Sequence, residues 1–225
     1  MVDQLWLWIL DKSTVVTFFA SKEQEEKDRS LRGEGNLRNE IYRDINGDLA
    51  NQCADPFDFA ALAVYHAVKV LLDRTIDRNL QVFEIFEEYI NILTEQQNAS
   101  FKGFRNDHGF EHAKSDAESH LDNRKDLDAL LELRDIDDEL TMIERLVKEQ
   151  QECVKEMLKQ YQHLHDHHGG KGANGIDFLR KTHQTLSENK ERIASMLKSA
   201  HAAQKAFKDL LDMKQKQATI VEART

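Results

Sequence analysis

The segment His163-Leu164-His165-Asp166-His167-His168-Gly169-Gly170 places four imidazoles, His163, His165, His167 and His168, within six residues. Imidazole nitrogens ligate transition metals, and short His-rich tracts bind such ions. A rigid site needs ligands held by their surroundings. Residues i and i+2 do not share a helix face, and the two glycines that follow predict a flexible linker. The expectation is an adventitious transition-metal tract. His108 and His112 have the i,i+4 spacing of a zinc helix, but HExxH is missing and Gly109 lies between them.

Carboxylates are the second candidate group: Asp135, Asp137, Asp138 and Glu139, then Asp209 and Asp212. A hydrated Mg²⁺ or Ca²⁺ ion needs only one or two carboxylates plus water. The competing reading of each is a solvated helix face. The sequence has no GxSxG, GxGxxG, GxxxxGK or CxxC. Gly169 to Gly175, GGKGANG, follows a helical pattern rather than a strand and lacks the Lys-Ser/Thr pair of a phosphate loop. The chain is read as non-enzymatic. Its net charge of −10 argues against nucleic acid and anionic lipid as partners, and is compatible with divalent cations or basic partners. Cys53 and Cys153 lie a hundred residues apart in no disulfide framework, which points to a reducing compartment.

These groups must be positioned by a mostly helical chain with one proline in 225 residues. The opening is the exception. Leu5 to Leu10 is apolar, Asp11-Lys12-Ser13 is a polar turn, and Val15, Val16, Phe18 and Phe19 follow. The run is too short to span a membrane and lacks the flanks of a secretion signal. Branched and aromatic residues around a turn predict a β-hairpin over 5–19. Residues 20–35 read as a loose connection, and Leu37, Ile41, Ile45 and Leu49 have helical spacing. Asp55-Pro56 reads as a cap and first helical residue. Apolar positions then recur from Phe57 to Leu72 and from Leu80 to Leu93, with Asn79 a candidate irregularity. Residues 98–126, rich in His, Gly and charge, read as a loop or weakly formed helix. Apolar spacings of three and four predict long helices over 127–164 and 176–222, antiparallel across the glycine linker 169–175. Irregular heptads argue against a strict two-stranded zipper. The expected fold is α+β and predominantly α: an N-terminal hairpin, a helical region and two very long antiparallel helices. The expected domains are 1–126 and 127–225.

The phrase MVDQLWLWIL, the turn and second strand after it, Leu130 to Val154 (LLELRDIDDELTMIERLVKEQQECV) and Asp209 to Arg224 (DLLDMKQKQATIVEAR) resemble, in order, segments of fungal CorA-like metal-ion transporters. The resemblance implies the cytoplasmic, regulatory and stalk part of a pentameric transporter of Mg²⁺ or a related divalent cation. Residues 1–126 would be a partial α/β domain and helix 176–225 the stalk. Its location would be the cytoplasmic face of a membrane, reached only through membrane helices and a Gly-Met-Asn motif that would follow this chain. Trp6 and Trp8 would belong to inner strands of a larger sheet. The resemblance also implies a regulatory Mg²⁺ site on the stalk, for which Asp209 and Asp212 are the candidates by position. The alternative is a soluble helical adaptor that binds partner helices.

Overall fold

The computed structural model describes residues 5–11, 13–19, 37–47, 49, 52–72, 82–106, 116–167 and 173–223. Along the chain run β1 (Leu5–Ile9), β2 (Val15–Phe19), α1 (Leu37–Asn46), α2 (Pro56–Leu72), α3 (Val82–Asn106), α4 (Asp116–His167) and α5 (Ala173–Glu222). Two compact units result. Residues 1–82 and 146–190 form the first, and residues 83–145 and 191–225 the second. Both α4 and α5 contribute to each. Among the described residues no helix is long and apolar enough to cross a membrane.

In the first unit, β1 and β2 pair antiparallel with Trp6 opposite Phe18 and Trp8 opposite Val16. The turn is closed by Asp11, whose carboxylate accepts hydrogen bonds from the Ser13 amide (2.8 Å) and the hydroxyls of Ser13 and Thr14. An acidic side chain that bonds its own backbone two residues on is a common turn device. Side chains alternate across a strand. Leu7, Ile9, Val15 and Thr17 are half-buried, and both strands contact α2. Trp6, Trp8 and Phe18 remain exposed on the opposite face.

The start of α2 follows the cap reading. Asp55 Oδ1 accepts from the amides of Phe57 (2.8 Å) and Asp58 (3.0 Å), two donors with no partner inside the helix. Ala60, Ala61, Leu62 and Ala63 are consecutive and all buried. A helix buried on every side sits at the centre of its unit. The small alanines permit close approach: a Cβ at Gly175 would lie 3.3 Å from that of Ala61. Along this unit α4 and α5 run antiparallel, with Gln151 bonded to Ser187 (2.9 Å) and Tyr161 against Gly175.

In the second unit the same two helices pair through Asp126–Lys214, Leu133–Gln204 and Asp137–His201. The apolar spacing read from the sequence makes the core here: Leu133, Leu140, Ile193, Phe207 and Leu210 are fully buried. α3 lies antiparallel to α4, tied by Tyr89–Glu132 and Ser100–Asp126. Residues 98–106 complete α3 and 116–126 open α4, so of the two readings of 98–126, loop or weakly formed helix, the helical one holds over these residues. Ser100 and Asp126 are bonded at 2.8 Å, and such tertiary contacts support a polar helical stretch that has little apolar periodicity. Residues 107–115, with His108 and His112, and residues 20–36 and 79 lie outside the described residues.

Candidate functional site

Asp209 and Asp212 stand one turn apart on α5 with exposed side chains. Cross-helix ion pairs of this unit include Glu87–Arg192, Asp137–His201 and Asp126–Lys214, and neither candidate belongs to these. Two exposed carboxylates can accompany a hydrated cation but offer no closed coordination shell. Among the described residues no three His, Cys, Asp or Glu side chains converge to hold a metal. Of the other carboxylates, Asp137 meets His201 Nε2 at 2.6 Å, while Asp135, Asp138 and Glu139 are exposed.

The His tract is ordered differently from the linker reading. α4 continues to His167, so His163 and His167 become i,i+4 neighbours with ring centroids 4.3 Å apart. His165 faces elsewhere, with Nδ1 at 3.5 Å from Asp166. His168 lies outside the described residues. Three residues of the expected linker, Ala173, Asn174 and Gly175, are already helical in α5.

Of the buried polar nodes that escape the sequence reading, two join distant parts of the chain. Asp58 is 1% exposed. Its Oδ1 accepts from the Gly175 amide at 2.7 Å and its Oδ2 from the Ala54 amide at 3.1 Å. One carboxylate thus serves the N-terminal turns of both α2 and α5. Burial pushes its pKa above the ordinary carboxylate range, more strongly than the Gly175 and Ala54 amides pull it down. Tyr161 closes the same node, donating its hydroxyl to the Phe57 carbonyl at 2.9 Å. The sequence did carry half of this signal: Asp-Pro-x-Asp at a helix start resembles a capping box. The other half, Gly175, is 117 residues away.

The second node is Asp126, 2% exposed, which accepts from Lys214 Nζ at 2.6 Å and Ser100 Oγ at 2.8 Å. It joins α3, α4 and α5 within one unit. Farther along the same helices, Arg192 grips Glu87 through two bonds of 2.6 and 2.8 Å. The Arg192 bonds hold the Glu87 carboxyl below its usual range.

Nucleophilic chemistry has no support at Cys53. Burial, followed by the charges of Asp58, Asp44 and Asp55, raises its thiol pKa, whereas a reactive thiol needs an electropositive setting. An open cleft of about 240 Å³ lies between Gln52 and the first turns of α5, lined by Asn174, Asp177, Phe178, Arg180 and Lys181. Arg180 is engaged by Asp177 at 3.0 Å. The exposed face of the hairpin carries an aromatic cluster. Trp6 and Trp8 stack at 6.0 Å, and Phe18 meets Trp8 edge-on at 5.6 Å.

Compared with known proteins, the chain matches no family model, no curated protein and no solved structure.

Proposed function

We propose that this chain is the cytoplasmic regulatory and stalk portion of a CorA-like transporter of divalent cations, with Mg²⁺ as the cation. The observation that carries the reading is the pair α4 and α5, helices of 52 and 50 residues that pair antiparallel within each unit. Helices far longer than the ordinary three turns suit a stalk that conveys movement along its axis. Within the described residues, the segments quoted above that resemble the fungal family fall mostly on β1, β2, α4 and the last turns of α5. In this reading Asp209 and Asp212 face a cation from an exposed part of α5, where a neighbouring subunit of a homo-oligomer supplies further ligands.

The transcript beyond the Thr225 codon provides the test. An apolar span within about 20 residues, then Gly-Met-Asn, should follow. The encoded product should restore growth of a Mg²⁺-uptake-deficient host in low Mg²⁺. A stop codon at that point, or a product that moves no divalent cation, overturns the proposal.

A second reading, a helical adaptor, draws on a different observation. Ile85, Tyr89 and Ile92 lie at i, i+4 and i+7 on α3 and are all exposed. Such a stripe is the pattern an amphipathic partner helix recognises. A pull-down in which Ile85→Lys abolishes capture of a helical partner would favour it.

A further inference from the structure

The final turn of α4 puts His163 and His167 side by side, with ring centroids 4.3 Å apart and ring planes inclined by 50°. Both residues are exposed, so metal and water reach the rings without opening the fold. We propose that these two imidazoles form a two-point clamp for a borderline transition-metal cation, Zn²⁺ being the representative ion. The inference does not rest on the transport reading.

Several features favour a cation here. Zn–N bonds are about 2.0–2.1 Å, so two ligands at a tetrahedral angle stand roughly 3.3 Å apart. Neighbouring rings one helical turn apart reach that separation by small side-chain rotations. The helix supplies what the glycine-linker reading lacked, a backbone that holds both ligands on one face. The turn also lies at a helix C-terminus, where exposed carbonyls carry partial negative charge and favour cations. The nearest preceding lysine, Lys159, is engaged by Glu156 at 3.1 Å, and Asp166 adds a carboxylate between the two imidazoles in sequence.

Two protein ligands leave the remaining positions to water, so the clamp is reversible and not a structural zinc site. Its physical effect is a cross-link from residue 163 to residue 167. Tyr161, two residues earlier, is seated against Gly175 and the Phe57 carbonyl. A loaded clamp therefore holds the turn adjoining that seat, and Zn²⁺ raises the stability of the folded chain by mass action.

The test is calorimetric titration of ZnCl₂ into the full chain in a non-coordinating buffer, for wild type, His163→Ala, His167→Ala and His165→Ala. His163→Ala and His167→Ala should each weaken the tightest Zn²⁺ binding by at least about tenfold. His165→Ala should leave it within about twofold, since that ring faces elsewhere. Zn²⁺ should raise the thermal midpoint of wild type and His165→Ala only. Equal losses in all three variants would mean that composition alone binds the ion, an adventitious ion only. That result, or the absence of any Zn²⁺ heat from wild type, overturns the clamp.

Discussion

Replacing Gly175 with alanine tests the close approach of α5 to α4 and α2. In an unconstrained helix the change would stabilise by up to about 1 kcal/mol. Here the new methyl would lie 2.9 Å from Tyr161 Cε1 and 3.2 Å from Cδ1, with the Ala61 methyl at 3.3 Å on another side. The tyrosine ring must yield, yet its hydroxyl is fixed on the Phe57 carbonyl and its edge abuts the Phe57 ring at 5.7 Å. Overpacking of this kind costs roughly 1–3 kcal/mol, and losing the hydroxyl bond adds about 1 kcal/mol. Set against the propensity gain, Gly175→Ala should destabilise by about 1–3 kcal/mol. With a urea m-value of about 2 kcal/mol/M, the midpoint falls by roughly 0.5–1.5 M. Both tryptophans belong to the unit that contains Gly175, so their fluorescence follows its unfolding. A cycle with Tyr161→Leu isolates the clash: the glycine substitution should cost at least about 1 kcal/mol less once the ring is gone. A neutral or stabilising Gly175→Ala, or an equal penalty in both backgrounds, refutes the reasoning.

Other consequences follow from the buried nodes. Asp58→Ala leaves the Gly175 and Ala54 amides without their acceptor and should cost about 2–4 kcal/mol in denaturant titration, the recovered desolvation offsetting part of two charge-assisted bonds. Asp126→Ala strands Lys214, whose side chain is 14% exposed, and should cost about 3–5 kcal/mol. Adding Lys214→Met should recover most of that loss. Glu87→Gln should cost only about 0.5–1 kcal/mol at pH 7, since both partners are 40% exposed. Because the folded Glu87 pKa is lowered, its contribution is present above the unfolded value near 4.3. It is lost as pH falls through the lower folded value. Midpoints of wild type and Glu87→Gln, separate at pH 7, should therefore converge on acidification toward about pH 3.

What could be read in advance was what repeats locally. The hairpin, the Asp55 cap and the cores of α4 and α5 each announce themselves within a few residues, through alternation, a cap pair or apolar spacing of three and four. The sequence-based boundary at 127 missed the first turns of α4 because 116–126 has few apolar residues; Asp126 and its partners supply the missing signal from elsewhere in the chain. The end of α4 lies beyond the expected residue 164 for a related reason. Glycines at 169 and 170 suggest an early break, but α4 continues to His167, and that extension makes His163 and His167 an i,i+4 pair. Asp209 and Asp212 were placed by family likeness alone, and no local periodicity distinguishes them from any exposed acidic turn.

The carboxylate shared by two helix starts also bears on how the chain folds. Asp55 and the amides it caps are immediate neighbours, so the first turn of α2 can form from local sequence. Asp58 and Gly175 are separated by 117 positions, and closing so long a loop delays their meeting until the rest of the unit has collapsed. The opening turn of α5 should accordingly mature late, after α2 has formed. Interactions made after the transition state leave the folding rate nearly untouched and govern escape from the native state instead. Removing the Asp58 carboxylate should thus appear chiefly as faster unfolding, making this buried group a determinant of how long the native chain persists.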